Sequence, residues 1–262
     1  MRQPKNSAAN VTEMAWKVYT QRLEAQRKAA YDSAYKWASN HVGEKDFVHR
    51  CRRMMVENSI YHGKSTAALA ASWFDQVARA SRADVDKAFA VNDPVRYRNQ
   101  RMAIAMRKSL PKLVAGDEEG FFVAIASAVA SDVKRQATNT MVLNAMRANA
   151  EFAWIPDGAE TCAFCIMLAS NGWQPAAKAT AMGNHAEHIH DNCMCEFAIR
   201  FNEDTNYSGY DPAPYKEMYA DADGGNWQAK VNSIRRDLYQ ENKDTITAQH
   251  RERYAALHQN DD

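Results

Sequence analysis

Apolar positions in the first 150 residues recur every three or four places, the spacing that lines one face of a helix. Asn10 followed by Glu13 reads as a capping box. It opens a segment carrying Met14, Val18, Tyr19, Leu23, Tyr31, Tyr35 and Trp37, and Gly43 closes it. A second helix is predicted over 45–61, with Cys51 as a buried thiol. A third follows in "HGKSTAALAASWFDQVARAS", where Ser65 can cap and Leu69, Trp73 and Val77 share a face. Asp93-Pro94 suits a helix start, an N-cap followed by proline at the first helical position. Val95, Met102, Met106 and Leu110 then form a stripe that proline at 111 should stop. Asp117, Glu118 and Glu119 fit the first turn of the next helix, which should run to about Ala150.

The pattern changes at 151. "EFAWIP" is short, aromatic and bounded by Pro156-Asp157-Gly158, so it reads as a strand and turn, and "CEFAIRF" at 195–201 is its expected partner. After 202 the chain turns to Asn, Asp, Gly, Pro and Tyr, an extended or weakly helical linker. The last thirty-odd residues return to helix, with too few apolar positions to fold alone; this tail should lie on a partner or on the helical half. The expected fold is mainly α: a helical domain over 1–150, a small α+β metal-stapled Cys/His module over 151–201, and an extended linker with a C-terminal helix over 202–262.

Composition adds an asymmetry that the net charge of +1 hides. Residues 1–150 hold 24 Lys and Arg against 14 Asp and Glu, and residues 151–262 hold 9 against 18. A basic half (+10) and an acidic half (−9) suggest two surfaces with different partners, or halves that pair with each other. Asp93–Leu110 shows the basic character best, with Arg96, Arg98, Arg101, Arg107 and Lys108 around its apolar stripe. The polar start "MRQPKNSAAN" has no apolar core of a secretory signal. The longest apolar run, "FFVAIASAVA", is too short to span a bilayer. These features predict a soluble, intracellular protein.

Four of the five cysteines fall in one segment. An odd total, crowded in this way, does not suit a secreted disulfide framework; it suits thiolates on a metal. Zinc takes about four soft or borderline donors at tetrahedral corners. Cys162-x-x-Cys165 supplies two from one tight turn. His190-x-x-Cys193-x-Cys195 offers three donors for the other two places. The shell is therefore four cysteines, or three cysteines and His190, with His190 otherwise orienting a ligand. His185 and His188 read as exposed or supporting residues.

Two chemistries compete for the same residues. "HAE" at 185–187 with Cys162-x-x-Cys165 has the parts of a zinc deaminase, but in the wrong order and without the proline before the first cysteine. "HIHDNC" is the sharper rival, because a ββα-metal (HNH-like) nuclease needs a general-base histidine beside a hydrolytic metal. Against it, five thiolate or imidazole donors can fill a closed structural site and leave no open position. No Gly-rich phosphate loop and no serine or cysteine triad occurs, so no enzymatic activity is expected.

The stretch "ETCAFCIMLAS…AEHIHDNCMCEFAIRF…GYDPAPYKEMY…IRRDLY" resembles the C-terminal region of phage minor capsid proteins, the MuF-like head morphogenesis family. The likeness covers roughly 135–256; the helical 1–134 carries no motif that aligns. It implies a virion protein of the phage head, present in the host cytoplasm during assembly. Its implied partners are portal and capsid proteins; the basic helical half makes packaged DNA a further candidate, the apolar runs call for no membrane, and the Cys/His cluster itself calls for a structural Zn2+.

Overall fold

A computed structural model describes residues 7–156, 161–178, 195–203, 205, 207 and 210–258, with the side chains of 7–13 and 244–258 excepted. The chain is mainly helical with one small three-stranded sheet. Four long helices come first: α1 (Ser7–His41), α2 (Phe47–Ala80), α3 (Val95–Val114) and α4 (Glu118–Arg147). The face that α1 buries is Trp16, Tyr19, Leu23, Arg27, Ala30, Ala34 and Ala38, a 3–4 spacing throughout. Asn10 and Glu13 lie inside α1 rather than at its start, three and more residues beyond Ser7.

The expected break between 61 and 65 does not exist. α2 runs unbroken for 34 residues, with Gly63 and Ser65 in its interior. Glycine in a helix interior costs about 1 kcal/mol relative to alanine, and packing outweighs it here. A Cβ on Gly63 would stand 2.7 Å from Arg98 Nη1 and 2.9 Å from Gln136 Cγ, so the glycine lets α3 and α4 approach closely. Thr66 then ties the crossing, its hydroxyl lying 2.9 Å from the Val133 carbonyl.

α3 begins one residue later than expected, with Pro94 in the capping position. Asp93 is freed for other work: it ion-pairs with Arg101 at 2.8 Å. Pro111 does not stop the helix either. It sits in the last turn, where the Ala115 amide still reaches the Pro111 carbonyl at 3.0 Å, and only one intrahelical bond is lost. Asp117 caps α4 by accepting from the Gly120 amide at 2.9 Å. That bond, and then Lys112, hold its carboxyl below the usual range.

α4 is buried around most of its circumference and forms the axis of the molecule. Between α2 and α3 the chain runs extended along it. Asn144 accepts from the Phe89 amide at 3.1 Å and donates to the Phe89 carbonyl at 2.8 Å. Thr140 accepts from the Val91 amide at 3.0 Å, and Gln136 from the Asp93 amide at 2.9 Å. Four helical residues rise about 6.0 Å and two extended residues about 6.6 Å, so every fourth side chain of α4 meets every second residue of the strap.

β1 (Glu151–Pro156) lies between β2 (Gln174–Pro175) and β3 (Cys195–Arg200), antiparallel to both. The expected strand pair is present, in the register Glu151↔Arg200 to Pro156↔Cys195; β2 is an addition. Phe152 stacks on Phe197 at 5.0 Å, and both belong to a cluster that also takes in Trp16, Tyr19, Trp73 and Phe74. α5 (Ala163–Ser170), α6 (Ala213–Asp221) and α7 (Trp227–His258) complete the described elements. The first turns of α7 dock on α5: Val231 and Ile234 pack with Ala163, Ile166 and Ala222. Thus the first turns of the tail helix lie on the Cys-bearing segment. This small apolar patch is what the sparse pattern could support.

Candidate metal centre

Cys162 and Cys165 stand on the first turn of α5. Cys162 is its N-cap, with extended backbone, and its sulfur accepts from the Cys165 amide at 3.4 Å. A cysteine can take this role because its sulfur, like a serine oxygen, reaches the unsatisfied amides of the first turn. The two Sγ atoms are 3.2 Å apart, well beyond the ~2.05 Å of a disulfide. Bonds of ~2.3 Å to one tetrahedral ion would hold two sulfurs about 3.8 Å apart, so this turn needs to open only slightly to chelate.

Cys195 opens β3, opposite Pro156 in the register. It is 1% exposed, and it shares a hydrophobic cluster with Cys165, against which Cys162 packs. Tyr215 of α6 also faces this end. Burial, and then the nearby Cys195, push its hydroxyl pKa up. Two tyrosines fix the frame: Tyr210 donates to the Ala169 carbonyl of α5 at 3.1 Å, and Tyr207 to the Ile199 carbonyl of β3. Three of the five expected donors therefore lie in one region. His190 and Cys193, together with His185 and His188, lie outside the described residues. Among the described residues alone, no group of three or more His, Cys, Asp or Glu is placed to hold a metal. Cys51 stands apart in the helical core, fully buried, with its thiol pKa pushed up to about 12 by desolvation.

The expected basic surface on α3 is smaller than its sequence suggests. Arg98 is 1% exposed and donates to the Ser59 carbonyl at 2.5 Å and to Asp132 at 3.3 Å. Burial lowers its pKa, with Asp132 opposing that effect. Arg101 Nε donates to the other oxygen of Asp132 at 2.5 Å. These two arginines hold α2, α3 and α4 together; Arg96, Arg107 and Lys108 stay exposed. The signal for this network was Asp132 itself, a carboxylate in the long small-residue run of α4. Lys134 two residues on makes a second buried pair, with Glu196 of β3 at 2.9 Å.

Among the described residues no helix is long and apolar enough to cross a membrane. No curated protein and no solved structure matches the chain. The model of one family, described as VG15 protein, matches residues 10–222. The matched region includes α1 to α4, where no sequence motif could be aligned, as well as the sheet and α5. It suggests a viral, phage-type protein without specifying a minor capsid one. A match over most of its length places this chain in the VG15 protein family.

Proposed function

We propose that the protein is a phage minor capsid protein of the MuF-like, head morphogenesis kind, with a structural role at the portal inside the prohead. The single observation that supports this most is the chelate-ready turn, Cys162 and Cys165 with sulfurs 3.2 Å apart, set within the segment that resembles those proteins. Membership in a viral family agrees with it. In this reading portal and capsid proteins are the partners and the virion is the destination.

Cys162, Cys165 and Cys195, with His190 and Cys193 as the remaining candidates, would hold one Zn2+. Bound zinc supplies cross-linking and folding free energy here rather than chemistry. The chain's own residues do the rest: Cys162 caps α5, Cys195 anchors β3 next to β1, and Tyr210 and Tyr207 clamp the two elements. The proposed role is non-enzymatic.

The test has two arms. Protein purified without chelators should contain one zinc per chain, and Cys162→Ser should lose it with a lower melting temperature. A metal-free wild type that melts at the same temperature with and without added zinc would remove the metal from this reading. Separately, the wild type should co-sediment stoichiometrically with portal assemblies of its own phage and leave plasmid intact in Mg2+, Mn2+ or Zn2+. Absence of portal binding would refute the assembly role. Cleavage abolished by His188→Ala, with the fold intact, would replace it with the HNH-like nuclease.

A further inference from the structure

The first turn of α5 holds two thiols close enough to react with each other. Cys162 sits at the N-cap and Cys165 three residues on, with Sγ atoms 3.2 Å apart. That distance lies between the ~2.05 Å of a disulfide and the about 3.8 Å of two sulfurs on one zinc, and a shift of about 1 Å or less separates it from either. The frame of the turn is already set. Cys162 Sγ accepts from the Cys165 amide at 3.4 Å, which turns the Cys162 side chain toward its neighbour. Ala163 and Ile166 pack with α7, and Cys165, Leu168 and Ala169 belong to the main core, so α5 need not move for the sulfurs to meet. The two thiols differ in access. Cys162 is partly exposed, whereas Cys165 is 2% exposed. A reagent from solvent meets Cys162 first, and Cys165 is placed to attack the sulfur beside it.

We propose that Cys162 and Cys165 are a redox-active pair, closed to an intramolecular disulfide by a small-molecule disulfide such as oxidised glutathione. In the first step Cys162 Sγ attacks one sulfur of the reagent. The reagent's S–S bond breaks, and one thiol leaves with the proton that Cys162 gives up. In the second step Cys165 Sγ attacks Cys162 Sγ. The mixed disulfide breaks, and the second thiol leaves with the Cys165 proton. Two protein thiols are oxidised, and one small-molecule disulfide is reduced to two thiols. Closure takes the two sulfurs that the zinc reading assigns to the metal. On that reading oxidation expels zinc and undoes its link from α5 to Cys195 of β3. The closure itself stands on the geometry of the turn and does not rest on the zinc or head-assembly reading.

The test incubates the full chain, as purified, with oxidised glutathione, quenches it in acid, and maps the thiols by alkylation and peptide mass spectrometry. Free thiols in the wild type should fall from five to three, with Cys162 joined to Cys165 and no glutathione retained. Dithiothreitol should restore them. Cys165→Ser should retain one glutathione on Cys162. Cys162→Ser keeps a capping side chain and should slow oxidation of Cys165 at least about tenfold. Cys51 reports on the fold, because it is fully buried in the helical core and reacts only if the chain opens. Glutathione retained on wild-type Cys162, a preferred link through Cys193 or Cys195, or reaction of Cys51 at the same rate would overturn the pair. A zinc-loaded protein that keeps all five thiols would also overturn it, while leaving the zinc reading in place. A protein that carries no zinc and still joins Cys162 to Cys165 supports the pair and removes the zinc.

Discussion

Gly63 lacks a side chain where two others need the space. Its neighbours are not loose ends: Arg98 is held by Ser59 and Asp132, and Gln136 by the Asp93 amide. Gly63→Ala would gain about 1 kcal/mol of helix propensity. It would also force a methyl to 2.7 Å from Arg98 Nη1 and 2.9 Å from Gln136 Cγ, and overpacking of that kind costs about 1–3 kcal/mol. The expected net effect is a loss of up to about 2 kcal/mol, seen as a fall of up to several degrees in melting temperature. A more stable Gly63→Ala protein would show that Arg98 can shift without penalty. From sequence alone this glycine looks like a helix breaker beside a good capping serine. The reason for it lies 35 and 73 residues away, in contacts that local pattern does not carry. Cys51 is the contrary case: its place on the apolar stripe of α2 was enough to read it as buried, and it is fully buried.

At the scale of elements, the strap from 89 to 93 is held as an edge strand would be, by side chains of α4 in place of a partner backbone. Asn144→Ala removes both the acceptor for the Phe89 amide and the donor to its carbonyl. Phe89 is 45% exposed, so water can replace part of what is lost. The expected cost is therefore about 1–2 kcal/mol rather than the full penalty of two buried orphans. Hydrogen exchange should quicken most at Phe89, less at Val91 and least at Asp93, as the ladder opens from one end. Equal exchange at Phe89 in both proteins would mean that the strap does not depend on Asn144. The long helices and the β1–β3 pair were legible because each is driven by its own apolar period. The strap was not, because its residues have no period; its trace is a row of polar residues, Gln136, Thr140 and Asn144, at four-residue spacing on a buried face of α4. The candidate metal site falls between these cases. Its spacing named five donors; the fold adds that Cys162 and Cys165 share one turn, and that Cys195 lies in the same cluster.

At the scale of the whole molecule, a buried ion pair joins the basic half to the acidic half. Among the described residues one ion pair crosses between them, Lys134 with Glu196, while the others join residues within a half. The crossing pair is 2.9 Å long with side chains 1% and 10% exposed, and it links the central helix to the sheet. Glu196 also contributes to the raised pKa of buried Tyr19, after desolvation. Removing one member breaks a buried pair, which costs about 3–5 kcal/mol, whereas replacing both by apolar groups of similar size is often close to neutral. Lys134→Met should therefore be severely destabilised, and Glu196→Met likewise. The Lys134→Met/Glu196→Met protein should be more stable than either single variant. Urea unfolding of the four proteins in a double-mutant cycle measures this coupling directly. Additive losses, with the double variant the least stable, would show that the two charges contribute independently and that the joint between helices and sheet is carried by the aromatic cluster alone.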